Sequence, residues 1–119
     1  MNESVLLTIQ ALVWIVVGLA FIFIPVRWSA PFDFPLDRSG VFFARLAGSV
    51  FVGFAVLDWL ARDQDPATLG PIVVGNLIAN AISVAVHLNA VTTRLHNPLG
   101  WGPVALIVAL TLGWITALA

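Results

Sequence analysis

The residues of this sequence that could do chemistry are few, and four polar ones recur at helical spacing. Separated by four, three and four residues, they are Asn76, Asn80, Ser83 and His87. This spacing places them on one face of an α-helix, as a polar stripe. One interpretation is functional: a path for protons or small solutes, or a recess for a quinone or pigment headgroup. The other is structural, with hydrogen bonds to neighbouring helices, and it is favoured because only His87 in the stripe titrates.

His87 could also ligate the metal of haem or chlorophyll. Ser83 lies four residues before it and would leave room for a macrocycle, a spacing that resembles the small-x-x-x-His pattern of light-harvesting helices. A haem held by two histidines of one chain needs a second membrane histidine, whereas His96 falls in a connection. We therefore predict a hydrogen-bonded, structural His87 and no metal site. Contact with haem, a chlorophyll-type pigment or a quinone is the alternative.

Two charged residues, Arg45 and Asp58, lie within the second apolar stretch of the sequence. At ~1.5 Å per residue, Arg45 is roughly 6 Å from one end of that stretch, at a depth similar to that of His87 in the third stretch. Asp58 lies near the other end, at the depth of Asn76. If the two stretches are neighbours, Arg45 approaches His87 and Asp58 approaches Asn76. Arg45 either extends to the lipid headgroups or joins a buried pair or hydrogen-bonded site with an acid such as Asp37.

The elements that position these residues are four apolar spans. The chain has 119 residues, of which 61% are hydrophobic and 9% charged, against about 45–50% and about 25% in soluble domains. The spans cover about residues 5–26, 41–60, 71–91 and 102–119. About 20 helical residues cross a hydrocarbon core of ~30 Å, and each span is continuously apolar rather than alternating. The sequence predicts an all-α, integral membrane bundle of four transmembrane helices, forming a single membrane domain over residues 1–119.

Proline and its neighbours predict where the spans begin and end. Pro25 ends the first span. Asp65 and Pro66 are typical of a helix N-cap followed by proline at the first helical position. Gly70–Pro71 predicts that the third span restarts there. The first connection, residues 27–40, is rich in proline and aromatic residues, and we interpret it as a loop in the headgroup region, with a lid or docking surface as the alternative.

The arginines predict the orientation of the bundle. One side of the membrane has only Arg62, and the other side has four arginines in or beside the first and third connections: Arg27, Arg38, Arg45 and Arg94. Positive residues favour the cytoplasm, so both termini are predicted to be periplasmic in a bacterial inner membrane.

Tryptophans predict the membrane–water interfaces. Trp28 and Trp101 would mark the cytoplasmic interface, and Trp59 and Trp114 the outer one. Trp14 falls near the middle of the first span, where we expect it to pack between helices.

The fourth span carries a ridge of small residues. They recur every four positions and are Ala105, Ala109, Gly113 and Ala117. Such a ridge lets another helix approach closely, either within the chain or between copies or subunits.

Several classes of function are excluded by composition. The absence of cysteine excludes disulfides, iron–sulfur clusters and thiol chemistry. A net charge of −1 with five basic residues gives no basic patch for nucleic acid. No Gly-rich phosphate loop, Ser-His-Asp grouping or metal-ligand cluster is present in the sequence, so we do not expect an enzyme. A four-helix drug exporter of the small multidrug type normally has an acidic residue in the first helix, which here offers only Gln10.

One segment resembles a known family. Arg45-Leu46-Ala47-Gly48, then Gly53, then Asp58-Trp59-Leu60-Ala61-Arg62 are similar to small bacterial four-helix membrane proteins of the DoxX-like and related families of unknown function. The resemblance extends to Pro25 after the first helix. It implies a four-helix bundle that sometimes associates with a larger redox or membrane assembly, and it implies no catalytic residue.

These observations lead to two functional hypotheses. The first is a non-catalytic accessory or scaffolding subunit that packs against other membrane subunits of a larger complex, respiratory or photosynthetic, or against copies of itself. The second is a small transporter or channel that uses the polar stripe of the third span.

Overall fold

The chain folds into four long helices that are joined by short connections. The computed structural model describes residues 2–118, and in that range it contains five α-helices: α1 (Glu3–Phe23), α2 (Pro25–Ser29), α3 (Arg38–Ala61), α4 (Pro66–Thr92) and α5 (Trp101–Leu118). All of these except the short α2 belong to elements long and apolar enough to cross a membrane. The predicted all-α class is confirmed, and the chain is a multi-pass membrane bundle.

The antiparallel order of the long helices gives the bundle two ends. We call the end where α1 begins, α5 ends and residues 62–65 lie the termini face, and the end with residues 24–37 and 93–100 the connection face. The apolar core lies towards the termini face, where Leu6 and Leu7 of α1 meet Leu69 and Val73 of α4 and Trp114 of α5.

Three of the long helices have a side-chain N-cap. The side-chain oxygens of Asn2, Asp37 and Asp65 accept hydrogen bonds from the backbone N–H groups of Val5, Gly40 and Thr68, respectively. Each cap satisfies one of the N–H groups that the first turn of a helix leaves free.

The third span begins earlier than Gly70–Pro71 predicts. Helix α4 begins at Pro66, behind the Asp65 cap, and continues through Pro71. The prediction of a restart at Pro71 is therefore wrong, whereas the predicted cap at Asp65 is confirmed. Pro71 lacks one backbone donor, but it lies near the start of a helix of 27 residues, where the many remaining hydrogen bonds hold the chain helical.

Helices α1 and α3 pack closely through small residues that recur seven apart. Ala11 and Gly18 on α1 and Gly48 and Ala55 on α3 are all buried. A Cβ atom added at Gly48 would lie 2.6 Å from the carbonyl oxygen of Gly18. The two backbones therefore touch at this point, as small residues permit in membrane helices. Gly53, the other glycine of the family resemblance, has open space where its Cβ would be.

The small-residue ridge of α5 is divided between the bundle and its surface. A Cβ at Gly113 would lie 2.8 Å from Leu6 Cδ2, and Ala117 packs against the apolar core. Ala105 and Ala109 are exposed on the outside of the bundle.

The first connection is folded and bonded to the third. It contains α2 and a 3₁₀ turn over Ala30–Phe32. The side-chain amide of Asn97 donates to the carbonyl oxygen of Pro31 at 2.8 Å, and the Asn97 backbone N–H donates to that of Phe32 at 3.0 Å.

Candidate functional site

A buried network of polar side chains joins all four long helices. Its members come from every long helix and are Gln10 of α1, Asp58 of α3, Asn76 and Asn80 of α4, and Trp114 of α5. Gln10, Asp58, Asn80 and Trp114 have no exposed surface, and Asn76 is 7% exposed. Polar groups in a bilayer have no water to bond, so their burial in one network is the arrangement expected for membrane helices.

Gln10 is the centre of this network. Its amide nitrogen donates to Asn76 Oδ1. Its amide oxygen accepts from Asn80 Nδ2 at 2.8 Å and from the indole N–H of Trp114 at 2.7 Å. One side chain of α1 therefore bonds to both α4 and α5.

Asn76 extends the network to α3. Its Nδ2 donates to Asp58 Oδ1 at 2.8 Å and to the carbonyl oxygen of Ile72, one turn earlier, at 3.1 Å. The contact between Asp58 and Asn76 that the matched depths predict is thus confirmed.

The amide hydrogen bonds run in one order, and each end of the series keeps one free acceptor. Asn80 donates to Gln10, Gln10 donates to Asn76, and Asn76 donates to the Asp58 carboxyl. Within residues 2–118, the two buried side-chain oxygens without a hydrogen-bond partner are Asp58 Oδ2 and Asn80 Oδ1.

An apolar layer covers the network on its termini side. Leu6, Leu7, Ala61, Leu69 and Val73 form one buried cluster with the Trp114 ring. This layer separates the amides from the water at the termini face.

The polar stripe of α4 divides at its midpoint. Asn76 and Asn80 join the network, but Ser83 and His87 are only partly buried. His87 Nδ1 lies 2.8 Å from the carbonyl oxygen of Ser83. The structural interpretation, in which the stripe bonds to neighbouring helices, therefore holds for Asn76 and Asn80. The hydrogen bond of His87 stays within α4 and joins no second helix.

Arg45 does not use His87 as its hydrogen-bond partner. Its Nε donates to the carbonyl oxygen of Ile22, near the end of α1, at 3.2 Å, and the residue is exposed. In this way Arg45 satisfies one of the carbonyls that the end of α1 leaves free.

The charged residues near Asp58 pair elsewhere. Within residues 2–118, the ion pair joins Arg62 Nε to Asp63 Oδ2 at 3.5 Å, and the Arg62 guanidinium stacks 3.4 Å above the Trp59 ring. Asp58 thus enters the network as a hydrogen-bond acceptor and not as half of an ion pair.

Sequence reasoning missed two members of the network, Gln10 and Trp114. Gln10 is a lone polar residue in an apolar span, which is itself the signal that could have found it. Trp114 is predicted at the outer interface, but it is fully buried and donates to Gln10. That prediction is wrong because a position near a helix end does not specify which face of the helix points inward. Trp14, predicted to pack between helices, stacks on Phe51 of α3 with ring centroids 4.8 Å apart.

In the part of the chain that the structure describes, no group of three or more His, Cys, Asp or Glu residues could hold a metal ion. No protein-family model, curated protein or solved structure matches this chain. The resemblance to DoxX-like proteins therefore stays a prediction that rests on its residues alone.

Proposed function

We propose that this chain is a non-catalytic membrane scaffold, an accessory subunit of a larger membrane complex. The observation that carries the proposal is the use of the polar groups of the bundle. Gln10 bonds across helices to both Asn76 and Trp114, so these groups hold the bundle together and do not line an open path. A bundle held in this way is a rigid body against which other subunits can pack.

Two exposed surfaces support a packing role. Helix α3 buries only four residues of its 24, and its outer side carries exposed Phe42, Leu46, Val50 and Phe54. On α5, Ala105 and Ala109 are exposed. A surface of large apolar side chains suits lipid as well as protein, but small residues favour close contact with another helix. We therefore place the partner contact at Ala105 and Ala109.

The test is to purify the tagged, full-length chain from its native membranes in a gentle detergent and to determine the mass of the complex. We expect co-purifying membrane subunits, and absorbance would identify a respiratory or photosynthetic complex by its haem or pigment. Ala109→Phe should abolish co-purification because the larger ring separates the two helices. Leu112→Ala, on an exposed position of the same helix, is the matched control. Recovery of the chain alone, or equal recovery with both variants, would contradict the proposal.

We also propose a bacterial inner membrane location with both termini periplasmic, on the basis of the arginine distribution. Because the chain has no native cysteine, single cysteines report topology directly. In spheroplasts, Asn2→Cys should react with an impermeant thiol reagent and Ser39→Cys should be protected. The reverse pattern would overturn the orientation.

A second candidate function rests on the two free buried oxygens. Asp58 Oδ2 and Asn80 Oδ1 have no partner, and a small transporter or channel could use them to hold a proton or a small solute. In proteoliposomes, this alternative expects ion or proton flux that Asp58→Asn abolishes while the fold is kept. Flux at the level of protein-free vesicles would remove it.

A further inference from the structure

The connection face holds a polar cleft that the scaffold function does not use. It lies between the first and third connections, has a volume of about 340 Å³ and is lined by Asp33, Arg94, His96, Asn97 and Trp101, among others. Ligand sites usually have volumes of about 300–1,000 Å³, so the cleft is large enough for a small group.

Asp33 and Arg94 line this cleft with opposite charges. They do not form an ion pair, because no side-chain nitrogen of Arg94 lies within 4.0 Å of the Asp33 carboxylate oxygens. The hydrogen-bond partner of the Asp33 carboxylate is the side-chain amide of Asn97, at 3.2 Å from Oδ2. The cleft thus presents one anion and one cation that are held apart.

The backbone of both charged residues turns left-handed where a helical segment ends. Asp33 has φ of 52° and follows the 3₁₀ turn, and Arg94 has φ of 60° and follows α4. These are the two non-glycine residues with positive φ in the described chain, and a left-handed residue is common at such helix ends. Both residues line the one cleft.

Rigid contacts hold the cleft walls in place. The His96 ring lies edge-on to Phe34, with centroids 4.9 Å apart, and beside Phe32 at 5.8 Å. Gly100 makes this arrangement possible, since a Cβ there would lie 2.9 Å from both His96 Cβ and Val91 Cγ2. His96 Nδ1 is buried and has no hydrogen-bond partner, so the ring contributes packing to the cleft wall.

The cleft also lies where a lipid headgroup would be. Val91 lies in the last turn of α4 and Trp101 begins α5, and Leu95 and Trp101 are 53% and 50% exposed. Tryptophan at the end of a membrane span marks the interface between hydrocarbon and headgroups. The lining therefore combines an apolar side for the glycerol and acyl region with a charged side for the headgroup.

We infer that this cleft binds the headgroup of an aminophospholipid, with Arg94 on the phosphate and Asp33 on the primary ammonium. The opposite charges of the guest match the separated charges of the protein, and a primary ammonium can donate hydrogen bonds to a carboxylate. A trimethylated ammonium cannot donate them, and the glycerol hydroxyls of phosphatidylglycerol donate without the positive charge that pairs with the Asp33 carboxylate. The site is thus expected to select phosphatidylethanolamine over phosphatidylcholine and phosphatidylglycerol.

The first test needs only the native chain. Native mass spectrometry of the full-length protein, titrated with each of the three lipids, should give about tenfold tighter binding of phosphatidylethanolamine, the effect of one charge-assisted hydrogen bond. Equal binding of the three lipids, or a preference for phosphatidylglycerol, would overturn the inference. If free phosphoethanolamine binds at lower concentrations than phosphatidylethanolamine does, the assignment to a lipid is overturned.

Two variants locate the binding. Arg94→Asn and Asp33→Asn remove the charges but keep residues that tolerate positive φ, so the connections should stay folded, which circular dichroism and gel filtration would check. Arg94→Asn should weaken binding of all three phospholipids about tenfold, and Asp33→Asn should remove only the preference for phosphatidylethanolamine. Arg38→Gln, an exposed arginine at the same face, is the matched control. A loss with Arg38→Gln equal to that with Arg94→Asn would contradict the site.

Discussion

The two ends of the bundle are stabilised by different means. Near the termini face, Gln10 joins α1 to α4 and α5 through side-chain hydrogen bonds in an apolar core. Towards the connection face, α1 and α3 touch through the backbones of Gly18 and Gly48, and the connections are joined by Asn97. Polar atoms are therefore bonded internally at one end, whereas at the other end Asp33 and Arg94 face an open cleft. The comparison indicates that the polar side chains near the termini face stabilise the bundle, whereas those at the connection face are free to bind a ligand.

The largest effect should come from the centre of the network. Gln10→Leu removes the hydrogen-bond partner of three atoms inside the membrane, which are Asn76 Oδ1, Asn80 Nδ2 and Trp114 Nε1. Three interhelical hydrogen bonds are lost, and at about 0.6–2 kcal/mol for each the free energy of unfolding should fall by about 2–6 kcal/mol. Detergent unfolding followed by circular dichroism measures it. Thr8→Val is the control, because the Thr8 hydroxyl bonds to the Ser4 carbonyl of its own helix; an equal loss there would contradict the central role of Gln10.

The close contact of α1 and α3 gives the next effect. Gly48→Ala places a methyl group against the Gly18 carbonyl and should cost about 1–3 kcal/mol, as overpacking does. Gly53→Ala meets open space on the same helix and should leave the same unfolding midpoint unchanged or slightly raised. If the two alanine variants unfold alike, the backbone contact is not what holds this pair.

A smaller effect is expected at His87. The hydrogen bond of the His87 ring stays within α4. His87→Leu should therefore reduce the free energy of unfolding by less than about 1 kcal/mol. His87→Gln should leave it unchanged. A loss near that of Gln10→Leu would show that His87 belongs to a second interhelical network. If purified protein carries haem or pigment, loss of its absorbance in the His87→Gln variant would instead identify a ligand.

The smallest effect concerns pH at the connection face. Burial, and then the nearby His87, hold the pKa of His96 below its ordinary value of 6.5. The folded connections therefore bind fewer protons than the unfolded chain. The contribution of His96 to stability is complete above pH 6.5 and is lost as the pH falls through the lower, folded-state pKa. A spin label on Leu99→Cys should become more mobile in that range, and His96→Gln should remove the pH dependence; a label equally mobile in both chains at every pH would disprove it.

Much of this fold follows from local sequence signals, and the reason is physical. The bilayer requires long apolar helices, and the Asp65 side chain caps the helix that Pro66 begins. The predicted helix start at Pro71 is wrong because one missing backbone donor is outweighed by the remaining hydrogen bonds of a long membrane helix. Gly48 and Gly53 are alike in sequence, and only three-dimensional packing distinguishes them.

The candidate site was predicted only in part for the same reason. The spacing of Asn76 and Asn80 identifies a polar face but not its partners. Gln10 and Trp114 become partners only when α1 and α5 are placed beside α4. The cleft at the connection face needs the relative placement of two loops, which no periodicity in the sequence encodes.

The order of the amide hydrogen bonds has a consequence for how uniquely the bundle is specified. An amide can rotate by half a turn and exchange its oxygen and nitrogen, so a row of amides alone could point in either direction. Rotation of Asn76 would bring its oxygen against Asp58 Oδ1, an acceptor facing an acceptor. The carboxyl therefore fixes the direction of the row at one end, and the Trp114 indole, which can only donate, fixes Gln10 in the same direction. An asparagine at position 58 would remove the first of these two constraints, and the indole would still hold the interior in a single arrangement.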